Sequence, residues 1–479
     1  MIKPDVEPAA PPPVVHPNVP LAAVVAIAAV AGFMGVMNSS IVNVALPTMS
    51  RDLHLSTSGQ QWVVGSYLLT LGGFLLLGAR VADLYGRKVT LQGGLVVFTL
   101  ASLAGGLAVN GPMLLAARAV QGIGGAVLLP AGLALIIASH HHPPARAKAM
   151  GLYSAAASLA VVAGVLLGGV LTQEASWRWV MFVNVPVGAG LFLAVTAALV
   201  PSTGKASGAR LDVGGAAAVT VGIGSLIYGL SEATADGWGS APVVTSLAVA
   251  AVLVVGFALI EANVAQPLVR LSVFRLRNVD VGNFLVACLG IALIASTYFA
   301  SLILQTDIGY SALRTGVAMA PLGVALAVSS VGSAKLIAAN KFGARQVLIA
   351  GGVTGAAGFF WLAAMPDHPG YAAHIVGPLL VIGLGLGLMT MPSIRASASG
   401  VPPHEAGLAA GLFNTSRQLG GAIGLAALVT LASSLTHHQL SGHTAATAQL
   451  HGYRGALVVT GGVSALAAIT SLLLHRDPT

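Results

Sequence analysis

The chain is 479 residues long, 56% hydrophobic and 8% charged, with a mean hydropathy of +0.88. Soluble domains carry about 25% charged residues, so water alone cannot be the solvent of this surface, and lipid must be part of it. The only cysteine is Cys288, which excludes an intrachain disulfide, while the net charge of +8 leaves nucleic acid open until the bases are placed.

Residues 1–19 are Pro-rich, with Ala9-Ala10-Pro11-Pro12-Pro13 and the acids Asp5 and Glu7. They read as a disordered tail without a cleavage-site pattern. A membrane helix needs roughly 20 apolar residues to cross about 30 Å. On that template about fourteen spans follow in chain order, near 20–47, 61–80, 89–109, 113–138, 147–172, 178–200, 213–230, 243–261, 279–304, 315–337, 346–364, 374–392, 405–433 and 453–474. The 60 glycines fit such a bundle, where small residues let helices approach closely.

An even number of spans puts both termini on one side. With the N-terminus inside, sixteen of the 22 bases fall in cytoplasmic segments, and four (Arg51, Arg178, Arg314 and Arg454) fall outside. The positive-inside rule then makes both termini cytoplasmic. The basic balance is a topology signal and not a nucleic-acid footprint. The remaining two bases, Arg118 and Arg417, fall inside spans, whereas all 14 acids fall in loops or near span ends. An intramembrane charge is costly and should face a cavity or a partner. A weak internal repeat pairs Ala82-Asp-Leu-Tyr-Gly-Arg-Lys88 with Ala339-Asn-Lys-Phe-Gly-Ala-Arg345, each running into a Gly-Gly pair. Two duplicated bundles would place a substrate path between them. The histidines (His140, His141, His142, His437, His438, His443 and His451) are assigned to loops without metal-ligand spacing. Neither a Walker loop nor a nucleophile elbow is present. No enzyme, metal or cofactor is expected.

The segment Ala79-Arg-Val-Ala-Asp-Leu-Tyr-Gly-Arg-Lys-Val-Thr-Leu91 resembles the signature loop between helices 2 and 3 of the major facilitator superfamily. Further strings narrow the likeness: Ile41-Val-Asn-Val-Ala-Leu-Pro47, Trp62-Val-Val-Gly-Ser-Tyr67, Arg118-Ala-Val-Gln-Gly-Ile-Gly-Gly-Ala126, Phe182-Val-Asn-Val-Pro-Val-Gly188 and Gly407 to Gly421. In this order they resemble the fourteen-helix drug:proton antiporter family. Two departures stand out. The first helix has Asn38 where the family usually has an acid, and the fifth has Gly164-Val165-Leu-Leu-Gly168-Gly169 where the family's motif has proline second.

The resemblance implies an all-α major facilitator fold of two six-helix bundles, 20–200 and 279–475. Two inserted helices (201–262) and a basic linker (263–278) lie between them, with a cytoplasmic tail at 476–479. It implies a secondary transporter of the plasma membrane, exporting small hydrophobic or amphipathic compounds by alternating access on a proton gradient. An uncoupled or anion-preferring metabolite exporter is the alternative, and a non-transporting receptor or scaffold a second. Candidate path residues are Asn38, Asn43, Tyr67, Arg118, Gln121, Tyr298, Asn414, Arg417 and Gln418. Asp83, Gly86, Arg87 and Lys88 form a candidate conformational latch, a carboxylate facing bases at a helix start. Gly164, Gly168 and Gly169 are packing positions. Arginine stays protonated and cannot carry the proton, which leaves Glu174, Asp280 and Glu405 as candidate carriers.

Overall fold

The computed structural model describes residues 19–139, 143–200, 212–264, 277–339, 342–397, 399, 406–440 and 444–474. Inside a bilayer every backbone N–H and C=O must find a partner within the protein, and an apolar run meets that demand by winding into a helix. The first helices are α1 (Leu21–Leu53), α2 (Thr57–Tyr85), α3 (Arg87–Gly106), α4 (Gly111–Ser139), α5 (Pro143–Glu174), α6 (Trp179–Phe182) and α7 (Asn184–Ala198). Next come α8 (Val213–Asp236) and α9 (Ala241–Asn263). The remainder are α10 (Arg277–Leu302), α11 (Ala312–Ala338), α12 (Ala344–Ala363), α13 (Val376–Ser397), α14 (Ala406–Gln439) and α15 (Ala445–Thr470). α10 continues into a π-helical turn, Ile303–Asp307, and a second such turn, Tyr371–Ile375, leads into α13.

Among the described residues, 13 helical stretches are long and apolar enough to span, and α5 adds the shorter apolar run Leu159–Glu174. α6 and α7 together make one span. Their break falls at Val183, and Pro186 explains it: proline has no N–H for the Phe182 carbonyl four residues back. The helices also overrun the apolar limits read from sequence, since a backbone can keep bonding to itself past the lipid. α1 reaches Leu53 and α14 reaches Gln439. His437 and His438 therefore sit in the last turn of α14, and His451 in α15, instead of in a loop.

Some helix starts are capped by a side chain that accepts from a first-turn N–H group. Ser56 Oγ accepts from Gly59 N (3.0 Å) and Asp212 Oδ1 from Gly215 N (2.7 Å). Between α2 and α3 the chain turns on one residue, Gly86, at φ 86°. A side chain there would be strained, which gives the loop's glycine a conformational reason.

Two six-helix bundles result. In the first, α1 packs on α5 and α4, α2 on α4, and α3 on α4 and α7; in the second, α10 packs on α14 and α13, α11 on α13, and α12 on α13 and α15. The bundles meet along two long seams, α2 with α14 and α5 with α11, and more narrowly at α1 with α10. α8 lies over the α2/α14 seam and is pinned to both sides: Gln61 Nε2 donates to Ser231 Oγ (2.7 Å) and Thr430 Oγ1 to the Leu230 carbonyl (2.8 Å). α9 packs on α8, with 11% of its span buried against 78% for the span beginning with α10. The inserted pair is thus a peripheral strap whose outer helix faces lipid.

Candidate functional site

The centre of the first bundle holds a polar cluster drawn from five helices. Arg118 on α4 is fully buried, and its Nε donates to the Val63 carbonyl of α2 (2.9 Å). Its Nη1 donates to Oε1 of Gln121, one turn on (2.7 Å), and its guanidinium lies 4.3 Å from the centroid of the Tyr67 ring. Gln121 Nε2 donates to Ser102 Oγ of α3 (2.6 Å) and to Asn38 Oδ1 of α1 (3.3 Å). Asn184 Nδ2 of α7 reaches the same Asn38 oxygen at 3.5 Å, and the Tyr67 hydroxyl donates to the Gly35 carbonyl (2.8 Å). Among the described residues, two buried atoms of this cluster have no hydrogen-bond partner: Arg118 Nη2 and Asn184 Oδ1. The arrangement holds a positive charge in a buried interior, where electrostatic effects are strong.

A second group closes the bundles against each other at the Leu53 end of α1. Asn43 Nδ2 donates to Thr297 Oγ1 of α10 (3.1 Å), and Ser301 Oγ donates to the Asn43 carbonyl (3.0 Å). Gln305 Nε2, in the π-helical turn, donates to the Val44 carbonyl and to Ser301 Oγ (both 3.0 Å). At the same end, Gln173 Oε1 of α5 accepts from Leu313 N of α11 (3.3 Å). The glycines of α5 allow this closeness. A Cβ on Gly168 would stand 2.6 Å from the Ile41 carbonyl oxygen, and one on Gly169 would stand 2.6 Å from that of Ala312. One face therefore packs within its bundle and the next residue packs across the seam. Gly164 approaches α1 similarly, since a Cβ there would stand 2.9 Å from the Met37 oxygen.

The third group lies on α14. Arg417 is half-buried, donates from Nη2 to Asn414 Oδ1 (3.3 Å), lies 5.7 Å from the Phe413 ring and feels Tyr153 of α5 electrostatically. Gln418 stands at the α2/α14 seam, where a Cβ on Gly72 would be 3.1 Å from its own Cβ.

The candidate path residues are thus divided among three places. Asn38, Tyr67, Arg118 and Gln121 come together; Asn43 joins the closing bonds; Asn414, Arg417 and Gln418 line the seam. Tyr298 belongs to none of these, being buried in the second bundle edge-on to Phe299 at 5.3 Å. Ser102, Asn184, Thr297, Ser301 and Gln305 were not singled out from sequence. Of the latch residues, Gly86 makes the turn and Arg87 opens α3, whereas the Asp83 side chain lies outside the described residues. Lys88 bonds elsewhere: its Nζ donates to the carbonyls of Thr196 (2.8 Å) and Leu199 (2.7 Å), capping the carbonyl end of α7. Glu174 is exposed at the end of α5, Asp280 is exposed in the first turn of α10, and Glu405 lies outside the described residues. Among the described residues, Glu261, on α9, is a buried carboxylate that was not among the candidate carriers. It adjoins α8, its Oε1 being 3.1 Å from where a Cβ on Gly215 would stand.

The family model of the Major Facilitator Superfamily matches residues 28–425. The chain belongs to that superfamily. It is a multi-pass membrane transporter, not an enzyme. It is 37% identical over 456 residues to the cephamycin export protein CmcT of Amycolatopsis lactamdurans, covering 94% of this chain and 93% of that one. It is 39% identical to the puromycin resistance protein pur8 of Streptomyces alboniger, covering 93% and 89% respectively. With the methylenomycin A resistance protein of Bacillus subtilis the identity is 31%, over 82% and 84%. Among solved structures, a D-xylose-proton symporter matches with TM-score 0.65 at 14% identity, covering 94% of this chain and 97% of that one. A bacterial homolog of the human lysosomal transporter Spinster, inward-facing and unoccupied, matches with TM-score 0.64 at 17% identity, covering 94% and 96%. At these identities the likeness is one of fold.

Proposed function

We propose that this transporter exports small hydrophobic or amphipathic compounds, antibiotics among them, from the cytoplasm across the plasma membrane. It does so by alternating access on a proton gradient, with both termini cytoplasmic, as the excess of bases on that side indicates. The observation that carries the reading is the closure of α1 on α10 by a few neutral hydrogen bonds. Each contributes only about 1 kcal/mol, a closure strong enough to hold and weak enough to open once per cycle. In this orientation the bonded end is the outer one, and cargo enters from inside along the seams. Relatives named for cephamycin export and for puromycin and methylenomycin A resistance support outward transport of such molecules. Asn38, Asn43, Tyr67, Arg118, Gln121, Tyr298, Asn414, Arg417 and Gln418 serve the path. Asp83 latches to the base that opens α3, and the proton is carried by Glu174, Asp280 or Glu405.

One observation favours an anion-preferring exporter as the second reading: the buried Arg118 and the half-buried Arg417 have neutral hydrogen-bond partners. The deciding experiment is efflux from proteoliposomes, with proton flux recorded, using puromycin and a cephamycin-type β-lactam as cargo. Proton flux that rises with puromycin efflux supports the first reading. Efflux of the β-lactam without proton flux supports the second. No efflux of either would remove both. In the same assay Asp83→Asn is expected to cut transport by at least about tenfold while inserting normally; wild-type rates would remove the latch.

A further inference from the structure

A polar recess of about 300 Å³ lies at the Thr57 end of α2, between that helix and the carbonyl ends of α8 and α14. It therefore borders both bundles and the strap. Buried Gln61, Ser231 and Thr430 form its inner wall, and exposed His437 stands at its edge. The acid in its wall is Glu232, half-buried, whose Oε1 accepts from Ser58 Oγ (3.3 Å). Among the described residues no base forms an ion pair with Glu232. The end of α8 does not offset its charge either. The last turn there holds no base, and it ends on a further acid, Asp236. The carbonyl end of a helix is the negative pole of its dipole and favours a cation.

The hydroxyls of the recess have their protons engaged within the protein. Ser58 donates to Glu232, Ser231 Oγ to the Ile227 carbonyl (2.8 Å) and Thr430 Oγ1 to that of Leu230 (2.8 Å). A hydroxyl has one proton and two lone pairs, so these three have only accepting capacity left. Oxygen acceptors around a carboxylate suit an occupant that donates hydrogen bonds and is positively charged. An anion is repelled. A quaternary ammonium has no N–H to give, and no Trp, Tyr or Phe lines the recess to hold it by a ring face. A bare alkali ion leaves most of the volume empty, whereas Val429 gives an organic body an apolar contact.

We propose that this recess binds the primary ammonium group of a small organic amine, which donates to Glu232 and to the hydroxyls around it. The ammonium belongs to a free polar amine or forms the charged end of an amphipathic cargo. The cargo source rests on the export reading above, whereas the free amine does not. Held there, the amine touches α2, α8 and α14 together and ties the two bundles to the strap.

The test uses the purified full-length protein in a neutral detergent, without transport, so its failure is separable from failure of the export reading. In phosphate buffer, with potassium chloride holding ionic strength constant, the chlorides of ethanolammonium, benzylammonium and benzyltrimethylammonium are titrated while the unfolding midpoint is followed. A saturable rise is expected for wild type with the primary amines, and a much weaker one with the quaternary ion. Glu232→Gln removes the charge and keeps the shape, and the apparent affinity for the primary amines is expected to fall about tenfold. Should Glu232→Gln fail to fold, His437→Lys changes an exposed side chain and sets a tethered ammonium at the edge of the recess. It is again expected to weaken the response. Ethanolammonium binding as well as benzylammonium identifies a free polar amine; preference for benzylammonium identifies an amphipathic one. The proposal is overturned if neither primary amine raises the wild-type midpoint, if the quaternary ion raises it as strongly, or if the variant that folds responds as wild type does.

Discussion

Two arginines enter the membrane region of this transporter, and they are held in different ways. Arg118 is fully buried and fixed on three sides, by the backbone of α2, by Gln121 and by the Tyr67 ring. Arg417 is half-buried, keeps one hydrogen bond to a residue of its own helix, and looks across the seam toward Tyr153. The same costly side chain is thus part of a bundle's interior in one case and part of a surface between bundles in the other. A charge locked into a rigid body moves with that body. A charge on the seam gains and loses neighbours as the bodies separate.

Replacing Arg118 should therefore have the largest effect. Arg118→Ala leaves the Val63 carbonyl and Gln121 Oε1 without their donor, and each orphaned buried group costs about 1–3 kcal/mol. Both the unfolding midpoint and the efflux rate should drop, the latter by at least about 100-fold. Arg118→Lys should recover little, because a point charge does not replace a planar fork. Normal efflux by the Ala variant would show that the cluster is dispensable. Arg417→Ala should behave differently: a loss of efflux of about tenfold with the unfolding midpoint unchanged. If its midpoint falls as far as that of Arg118→Ala, the distinction between interior and seam is wrong.

A smaller effect is expected at the closing bonds. Gln305→Ala removes the donor to the Val44 carbonyl and to Ser301, worth about 1 kcal/mol each. The population open at the Leu53 end of α1 should rise by roughly five- to thirtyfold, read by electron-paramagnetic distances between labels on the Thr57 end of α2 and the Gln439 end of α14 in a Cys288→Ser background. An unchanged distance distribution would place the closure elsewhere.

The smallest effect belongs to an exposed cluster. Asp367, between α12 and α13, lies 3.2 Å from His451 Nε2 and 2.9 Å from Arg454 Nη1 of α15. The hydrogen bond with His451 first, and Arg454 second, holds its carboxyl below the ordinary 3.8. A carboxyl lowered on folding contributes stability above its unfolded pKa and loses it as pH falls through the folded value. Asp367→Asn should leave the midpoint nearly unchanged at neutral pH and remove part of the acid destabilisation that sets in below 3.8. A large loss at neutral pH would mean the cluster carries more than an exposed ion pair can.

The fold was legible because a membrane helix announces itself by apolar length, and the bundle order by strings that keep their sequence positions. Arg118 and Gln121 were legible as a pair, three residues apart on one helix face. Ser102, which accepts from Gln121, and Asn184, which bonds Asn38, were not, since a lone hydroxyl or amide in an apolar helix has no spacing to betray it. Thr297, Ser301 and Gln305 left a signal that was not used: polar residues four apart on one face of an otherwise apolar helix. Lys88 was legible as a base, but its partners are carbonyls 108 and 111 residues further along, and only the packing of α3 on α7 brings them together.

The bonds joining α1 to α10 and α5 to α11 at the Leu53 end of α1 link amides, hydroxyls and backbone groups. At physiological ionic strength, mobile ions screen exposed charges beyond about 8 Å, and they have no hold on neutral partners. Salt at that face can weaken an exposed pair such as Asp52 with Arg178. The closure itself answers to temperature and geometry, so a change of salt at that face leaves its grip as it was.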